Sequence, residues 1–292
     1  MRKCSTWKSR SANWCRGKRK SEQEESGNEI SDLGRKDEPG HFDAPRHVVF
    51  RRRFTVSGGE RLAEDHYVIL PTYDGCDGGK SVYDSAAGQA QKILTWLQEN
   101  GIRSLALGQG TSMGAEVLMA FALLAEKQCY PVRQYVFDGG PFFHFPKPVQ
   151  FVMEKKFQGL AGQLRGKEGP ETVKKLPANP MVQKLIGTDT APYQEMGTDM
   201  TRVCQTADRV SIRNMVRTCY TFGFHAVKPE VQKRFYFLWS EKEPARKSEK
   251  KMRETYPHAR FRVVPGYMHC GYQICAPETY VQEMRALLEK QK

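Results

Sequence analysis

The sequence predicts an α/β fold: a doubly wound, mostly parallel sheet with a helical cap inserted into it, behind a polar leader. Three features carry that prediction. From about residue 46 to the C-terminus, short β-branched and aromatic runs alternate with amphipathic stretches, the pattern of a parallel sheet covered by helices on both faces. Between residues 141 and 231 the alternation stops, and the chain is helical in pattern, broken by Pro and Gly, with no convincing strand pair. One junction, "SLALGQGTSMGAEVLMAFALL" from Ser104 to Leu124, sets Gly-Thr-Ser-Met-Gly between two apolar runs of different period.

Taken in order, Met1 to Pro45 is charged, polar and without strand or helix period, and is expected to be disordered. "RHVVFRRRFTV" opens the core as a strand, although Arg51, Arg52 and Arg53 would place charge in a buried sheet. "HYVILP", His66 to Pro71, reads as a buried strand closed by the turn-rich "PTYDGCDGGKS". "DSAAGQAQKILTWLQENG" has helical spacing and stops at Gly101. "RSLALG", "RQYVFDGG", "KRFYFLWS" and "ARFRVVPG" follow as strands, with "AEVLMAFALLAEK", "ARKSEKKMRETYP" and "PETYVQEMRALLEK" as helices. The expected domains are therefore a leader at 1–45, a core at 46–140 and 232–292, and a helical cap at 141–231. Such an insertion would lie over the carboxyl edge of the sheet, where open α/β sheets bind ligands.

Composition narrows the function classes. With 292 residues, 39% hydrophobic and 11% aromatic, the chain can bury a sizeable core. The net charge of +13 invites a nucleic-acid partner, yet the first twenty residues hold eight Lys or Arg and no acid, and the remainder is only mildly basic. No aromatic-interleaved basic motif follows, so a solvated tail is expected and no nucleic-acid partner. No stretch approaches the about 18 apolar residues of a membrane span, and no apolar signal core stands at the N-terminus. A cytoplasmic protein is expected. The eight cysteines show neither CxxC pairing nor zinc-type Cys/His spacing, which reads as reduced, structural thiols and no metal site.

The chemistry resides in the junction. Ser112 stands where a buried strand turns sharply into a helix, and Gly110 and Gly114 are small so that strand and helix can approach. Such a turn lifts the hydroxyl off the sheet and aims the helix N-terminus at the reaction centre. A serine at neutral pH needs a base, and the base needs an acid to orient it. His269 in "VVPGYMHCGY", after the last strand, is the expected base. His41, His47 and His66 precede the serine, His144 and His225 fall in the insertion, and His258 reads as a surface residue. For the acid, Glu243 and Glu241 follow the strand "RFYFLW", and Asp138 follows "YVF"; Glu243, ahead of Pro244, is preferred, with Asp138 and Glu241 left open.

From about Gly59 onward the chain resembles α/β-hydrolase fold proteins of the serine hydrolase type with a helical cap. The resemblance rests on "GTSMG", "YVFDGGPF", "LWSEKEPARK", "YPHARFRVVPGYMHCGY" and "LPTYDGCDGG". It implies cofactor-free hydrolysis of a small acyl substrate, an ester, thioester or amide, through an acyl-enzyme. In the family the amide after the nucleophile, here Met113, shares the oxyanion hole with a glycine-containing loop after an earlier strand. No His-Gly pair stands in that context, and Ser57, Gly58 and Gly59 are the stand-in, with Gly58 as donor. Phe142 and Phe143 at the mouth of the cap would bind an apolar acyl group. The family also places strands ahead of this core, so the aperiodic leader reads as something other than the natural start of the domain. The rival class is a binding protein on the same fold that lacks a complete oxyanion hole.

Overall fold

The computed structural model describes residues 30–33, 47–49, 61–167 and 169–289, and within them the apolar runs become strands of one sheet. The strands are β1 (Ile30–Leu33), β2 (His47–Val49), β3 (Tyr67–Pro71), β4 (Leu105–Thr111), β5 (Val132–Asp138), β6 (Phe235–Ser240) and β7 (Arg260–Val264). Their order across the sheet is β1-β3-β2-β4-β5-β6-β7. Every neighbouring pair is parallel except β1 with β3. The fold class read from the sequence is the one observed.

Period-two alternation explains why the central strands read as unbroken apolar runs. In β5 and β6, Tyr135, Phe137, Phe235, Phe237 and Trp239 enter one core cluster, while Val136, Tyr236 and Leu238 enter the cluster on the opposite face. The first cluster is closed by α1 (Ala86–Glu99), α2 (Met113–Lys127) and Met252 of α9 (Glu249–Thr255), the second by α11 (Pro277–Glu289). Phe237 is fully buried, its ring 4.7 Å from Phe137 and 5.2 Å from Phe261. Pairs of this kind add about 0.5–1.5 kcal/mol to the burial itself. Ser85 caps α1 by accepting from the Gly88 amide at 3.0 Å. At the β7 edge, Arg260 and Arg262 are exposed, which blunts pairing with another chain.

The leader requires a correction. It was expected to be disordered, but Ile30–Leu33 forms a strand paired antiparallel with Tyr67–Pro71. A ladder is made by backbone groups, and the outer edge of β3 offers a row of them to any extended segment. Other residues of the leader, the arginines at 51–53 and the Ser57-Gly58-Gly59 loop lie outside the described residues.

Between β5 and β6 come α3 (Lys147–Arg165), α4 (Gly169–Lys175), α5 (Pro180–Ile186), α6 (Gln194–Thr206), α7 (Arg209–Tyr220) and α8 (Pro229–Gln232). The two ends of this segment are pinned together. Phe145 donates to Tyr220 O at 3.0 Å, and Phe222 donates to Phe143 O at 2.8 Å. α7 is tied to the loop after β3, with Ser211 Oγ accepting from the Tyr83 amide at 2.9 Å and Asn214 Nδ2 donating to Tyr83 O at 3.0 Å. Among the described residues, no helix is long and apolar enough to cross a membrane.

Candidate active site

Strand register assembles the site, because β4, β5, β6 and β7 are parallel and present their carboxyl ends along one edge of the sheet. Ser112 follows β4 with φ 55° and ψ −129°, a backbone conformation that a non-glycine residue rarely adopts. The flanking glycine is required by space: a Cβ on Gly110 would lie 2.1 Å from the Gly114 carbonyl oxygen. The Ser112 amide donates to Asp138 O at 2.8 Å, which anchors the turn to the end of β5. Met113 opens α2, where the first amides have no acceptor within the helix and carry its positive dipole end.

His269 stands in the loop between β7 and α10 (Gly271–Cys275). Its Nε2 is 2.9 Å from Ser112 Oγ, and its Nδ1 is 2.5 Å from Glu243 Oε2. Glu243 follows β6 and is 4% exposed. Its second oxygen accepts from the Ser240 amide at 2.6 Å, so the carboxylate is oriented from both sides. Gly139, at φ 61°, gives this pair its room: a Cβ there would lie 2.8 Å from Glu243 Oε2 and 3.2 Å from His269 Nδ1. Burial alone pushes the imidazole pKa down, but Cys270 and the Glu243 carboxylate outweigh it and hold it well above the ordinary histidine value. The His269 amide donates to Leu185 O at 3.1 Å, and Cys270 packs with Ile186, Tyr193 and Met196, so α5 and α6 seat directly on the histidine loop.

The other candidates separate. Glu241 is exposed, and its Oε2 accepts from the Gly266 amide at 2.8 Å, joining the loops after β6 and β7 without reaching His269. Asp138 is buried and is hydrogen-bonded by Gln273. Phe142 is a correction to the expected substrate contact. It is 1% exposed and packs edge-on against Phe137, Phe222 and Phe237, with its amide donating to Glu116 Oε1 at 2.9 Å. Its backbone lies in the left-handed region, at φ 38°. Phe143 stays half-buried and stacks on Phe145 and Tyr220. Gly58 lies outside the described residues. His258 is exposed, as expected of a surface residue, and His144 is exposed with Nδ1 3.1 Å from Phe222 O. Sequence reasoning missed Leu185, Tyr193 and Gln273, which meet the site through hydrogen bonds and packing between residues far apart in the chain.

No family model and no curated protein sequence matches this chain. Solved structures do. An alpha/beta hydrolase family protein from Desulfitobacterium hafniense superposes with a TM-score of 0.64 at 15% identity, over 89% of this chain and 100% of that one. A thermophilic esterase from Thermogutta terrifontis gives 0.64 at 17% identity, over 90% and 93% of the two chains. The enol-lactonase from Burkholderia xenovorans LB400 gives 0.62 at 12% identity, over 90% and 96%. The chain is an α/β-hydrolase fold protein.

Proposed function

We propose that this protein is a serine hydrolase that cleaves a small ester, thioester or amide through an acyl-enzyme on Ser112. The observation that carries the reading is the hydrogen-bonded line from Ser112 Oγ through His269 to Glu243, at 2.9 and 2.5 Å. Each residue takes a role from its chemistry. His269 Nε2 removes the serine proton as the oxygen attacks the acyl carbon, and returns it to the leaving group. Glu243 holds Nδ1–H and offsets the imidazolium charge. The Met113 amide, at the head of α2, is one donor to the oxyanion, and the loop containing Gly58 is expected to supply the other; one such donor is worth about 10²–10³ in turnover. Water then repeats the sequence on the acyl-enzyme.

The helices between β5 and β6 act in this reading as a cap over the site, seated on the histidine loop through Tyr193 and Ile186. Phe143 remains the aromatic candidate for an apolar acyl group. The esterase and lactonase among the structural neighbours are in keeping with carboxylic ester substrates. A cytoplasmic, cofactor-free enzyme is proposed; the compartment is in keeping with cysteines held as thiols, among them Cys129, Cys204, Cys270 and Cys275. The second reading, a binding protein on the same fold, is favoured by the missing His-Gly pair in the sequence.

Hydrolysis of short and medium acyl p-nitrophenyl esters decides between them. Turnover by the wild type, reduced by about 10³-fold or more in both Ser112→Ala and His269→Ala, is expected of the hydrolase. Esters that bind without turnover would favour the binding protein.

A further inference from the structure

Beneath the serine turn lies a polar cluster that the proposed mechanism leaves unused. Gln109, Thr111, Asp138, Gln273 and Tyr280 are all 5% exposed or less. Gln273 Nε2 donates to Asp138 Oδ2 and, at 2.7 Å, to Thr111 Oγ1, and it lies 3.2 Å from the Tyr280 hydroxyl. Gln109 Nε2 donates to Thr111 Oγ1 at 2.6 Å and to the Tyr280 hydroxyl at 2.9 Å. Polar groups of this kind cost about 1–3 kcal/mol each when buried without a partner, so an apolar set would be the simpler core.

The connections have a direction. Thr111 immediately precedes Ser112, and the Asp138 carbonyl accepts from the Ser112 amide. Gln273 stands one helical turn beyond His269, on α10. One amide, on the helix that follows the histidine loop, therefore ties that loop to Thr111 beside the nucleophile and to Asp138 at the end of β5, whose carbonyl anchors the serine turn. We propose that Asp138 and Gln273 are positioning residues that lock His269 against Ser112, and that the Asp138 carboxyl acts as a second acid whose ionisation tunes the imidazole. The proposal rests on the hydrolase reading above for its kinetic consequences, and on geometry alone for its effect on His269.

Two carboxyls thus serve one histidine in different ways. Glu243 touches it, while Asp138 acts from behind the strand ends. Burial first, and then the Glu243 charge, push the Asp138 carboxyl up to about 7. The titratable groups that face Asp138 are Glu243 from the loop after β6, His269 from the loop after β7, and Tyr280 from α11; Cys270 and Glu243 flank the imidazole. A second negative charge near His269 favours imidazolium, so neutralising Asp138 lowers the imidazole titration point.

The test is Asp138→Asn and Gln273→Met, each checked for a native melting transition, with the His269 imidazole followed by NMR across pH. Asparagine keeps an acceptor for Gln273 and removes the charge. The expected result is a downward displacement of the His269 titration by about half a pH unit or more in Asp138→Asn. The acid limb of kcat/KM should move the same way. Gln273→Met is expected to lose about tenfold or more in kcat with KM little changed. An unmoved His269 titration in folded Asp138→Asn overturns the tuning role, and wild-type kcat in folded Gln273→Met overturns the lock. Should Asp138→Asn not fold, the Gln273→Met kinetics still decide the lock, and wild-type titration with a single step overturns the coupling. An inactive wild type would sink the hydrolase reading but leave the NMR comparison intact.

Discussion

At Ser112, a side chain is held in a backbone conformation that favours glycine so that its hydroxyl faces an imidazole, and the neighbouring atoms leave no slack. Gly110→Ala would drive a Cβ to 2.1 Å from the Gly114 carbonyl oxygen, between two stretches of backbone that cannot both yield. Either soluble protein is lost or activity falls by about 100-fold, read from expression and ester turnover. Glu243→Gln should leave the fold intact and lower kcat by about 10³–10⁴-fold, because Nδ1–H loses its charged partner and the imidazole its tautomer. The pH dependence has opposite signs for activity and stability. His269 must be neutral to act as base, so kcat/KM is present at high pH and falls as pH drops through its raised pKa. The same raised pKa contributes stability that is full below about 6.5 and is lost as pH rises through the folded value. The serine turn was legible in the sequence because a strand, a glycine-flanked serine and a following helix are neighbours in the chain, and the roles proposed for Ser112, His269 and Glu243 start from it. Glu243 over Asp138 and Glu241 was a preference that geometry bears on directly: only Glu243 reaches the imidazole. Phe142 was misread because its burial depends on packing against Phe137, Phe222 and Phe237, contacts that its neighbours in sequence do not advertise.

Elements place those residues, and their packing shows which parts of the fold position the site. Phe237 lies in a strand whose carboxyl end leads to Glu243, and its ring meets Phe137, Trp239, Tyr256 and Phe261. Phe237→Ala is expected to cost about 3–5 kcal/mol in urea or thermal unfolding. The helices between β5 and β6 reach the histidine loop at Tyr193, whose hydroxyl lies where a Cβ on Gly271 would come, at 2.6 Å. Gly271→Ala should displace that ring and lower kcat by about tenfold, with partial recovery when Tyr193→Phe removes the hydroxyl. No recovery in the double variant would detach α6 from the seating of the histidine loop. The strands of the sheet centre announced themselves through length and apolar content. β1 did not, since four residues with Ser31 and Asp32 in the middle offer no side-chain period by which to read a strand.

Across the whole molecule, the sheet brings together groups that the chain keeps far apart: Gln273 meets Asp138 across 135 residues and Thr111 across 162. No local pattern encodes such a contact, which is why the buried clamp escaped sequence reading while the serine turn did not. It also leaves a global signature. Burial and the Glu243 charge push the Asp138 carboxyl up to about 7 from an ordinary value of 3.8, so the folded state holds the extra proton and stability is lost as pH rises through that window. Asp138→Asn should therefore gain on the wild type in melting temperature between about pH 4 and pH 7, measured by calorimetry across pH. The central claim, an activated serine in a complete charge line, is tested most directly by reacting the folded protein with a fluorophosphonate and mapping the adduct by peptide mass. The account predicts one adduct, on Ser112, absent in Ser112→Ala and strongly slowed in His269→Ala. No adduct in folded wild type, or an adduct on another serine, would contradict it.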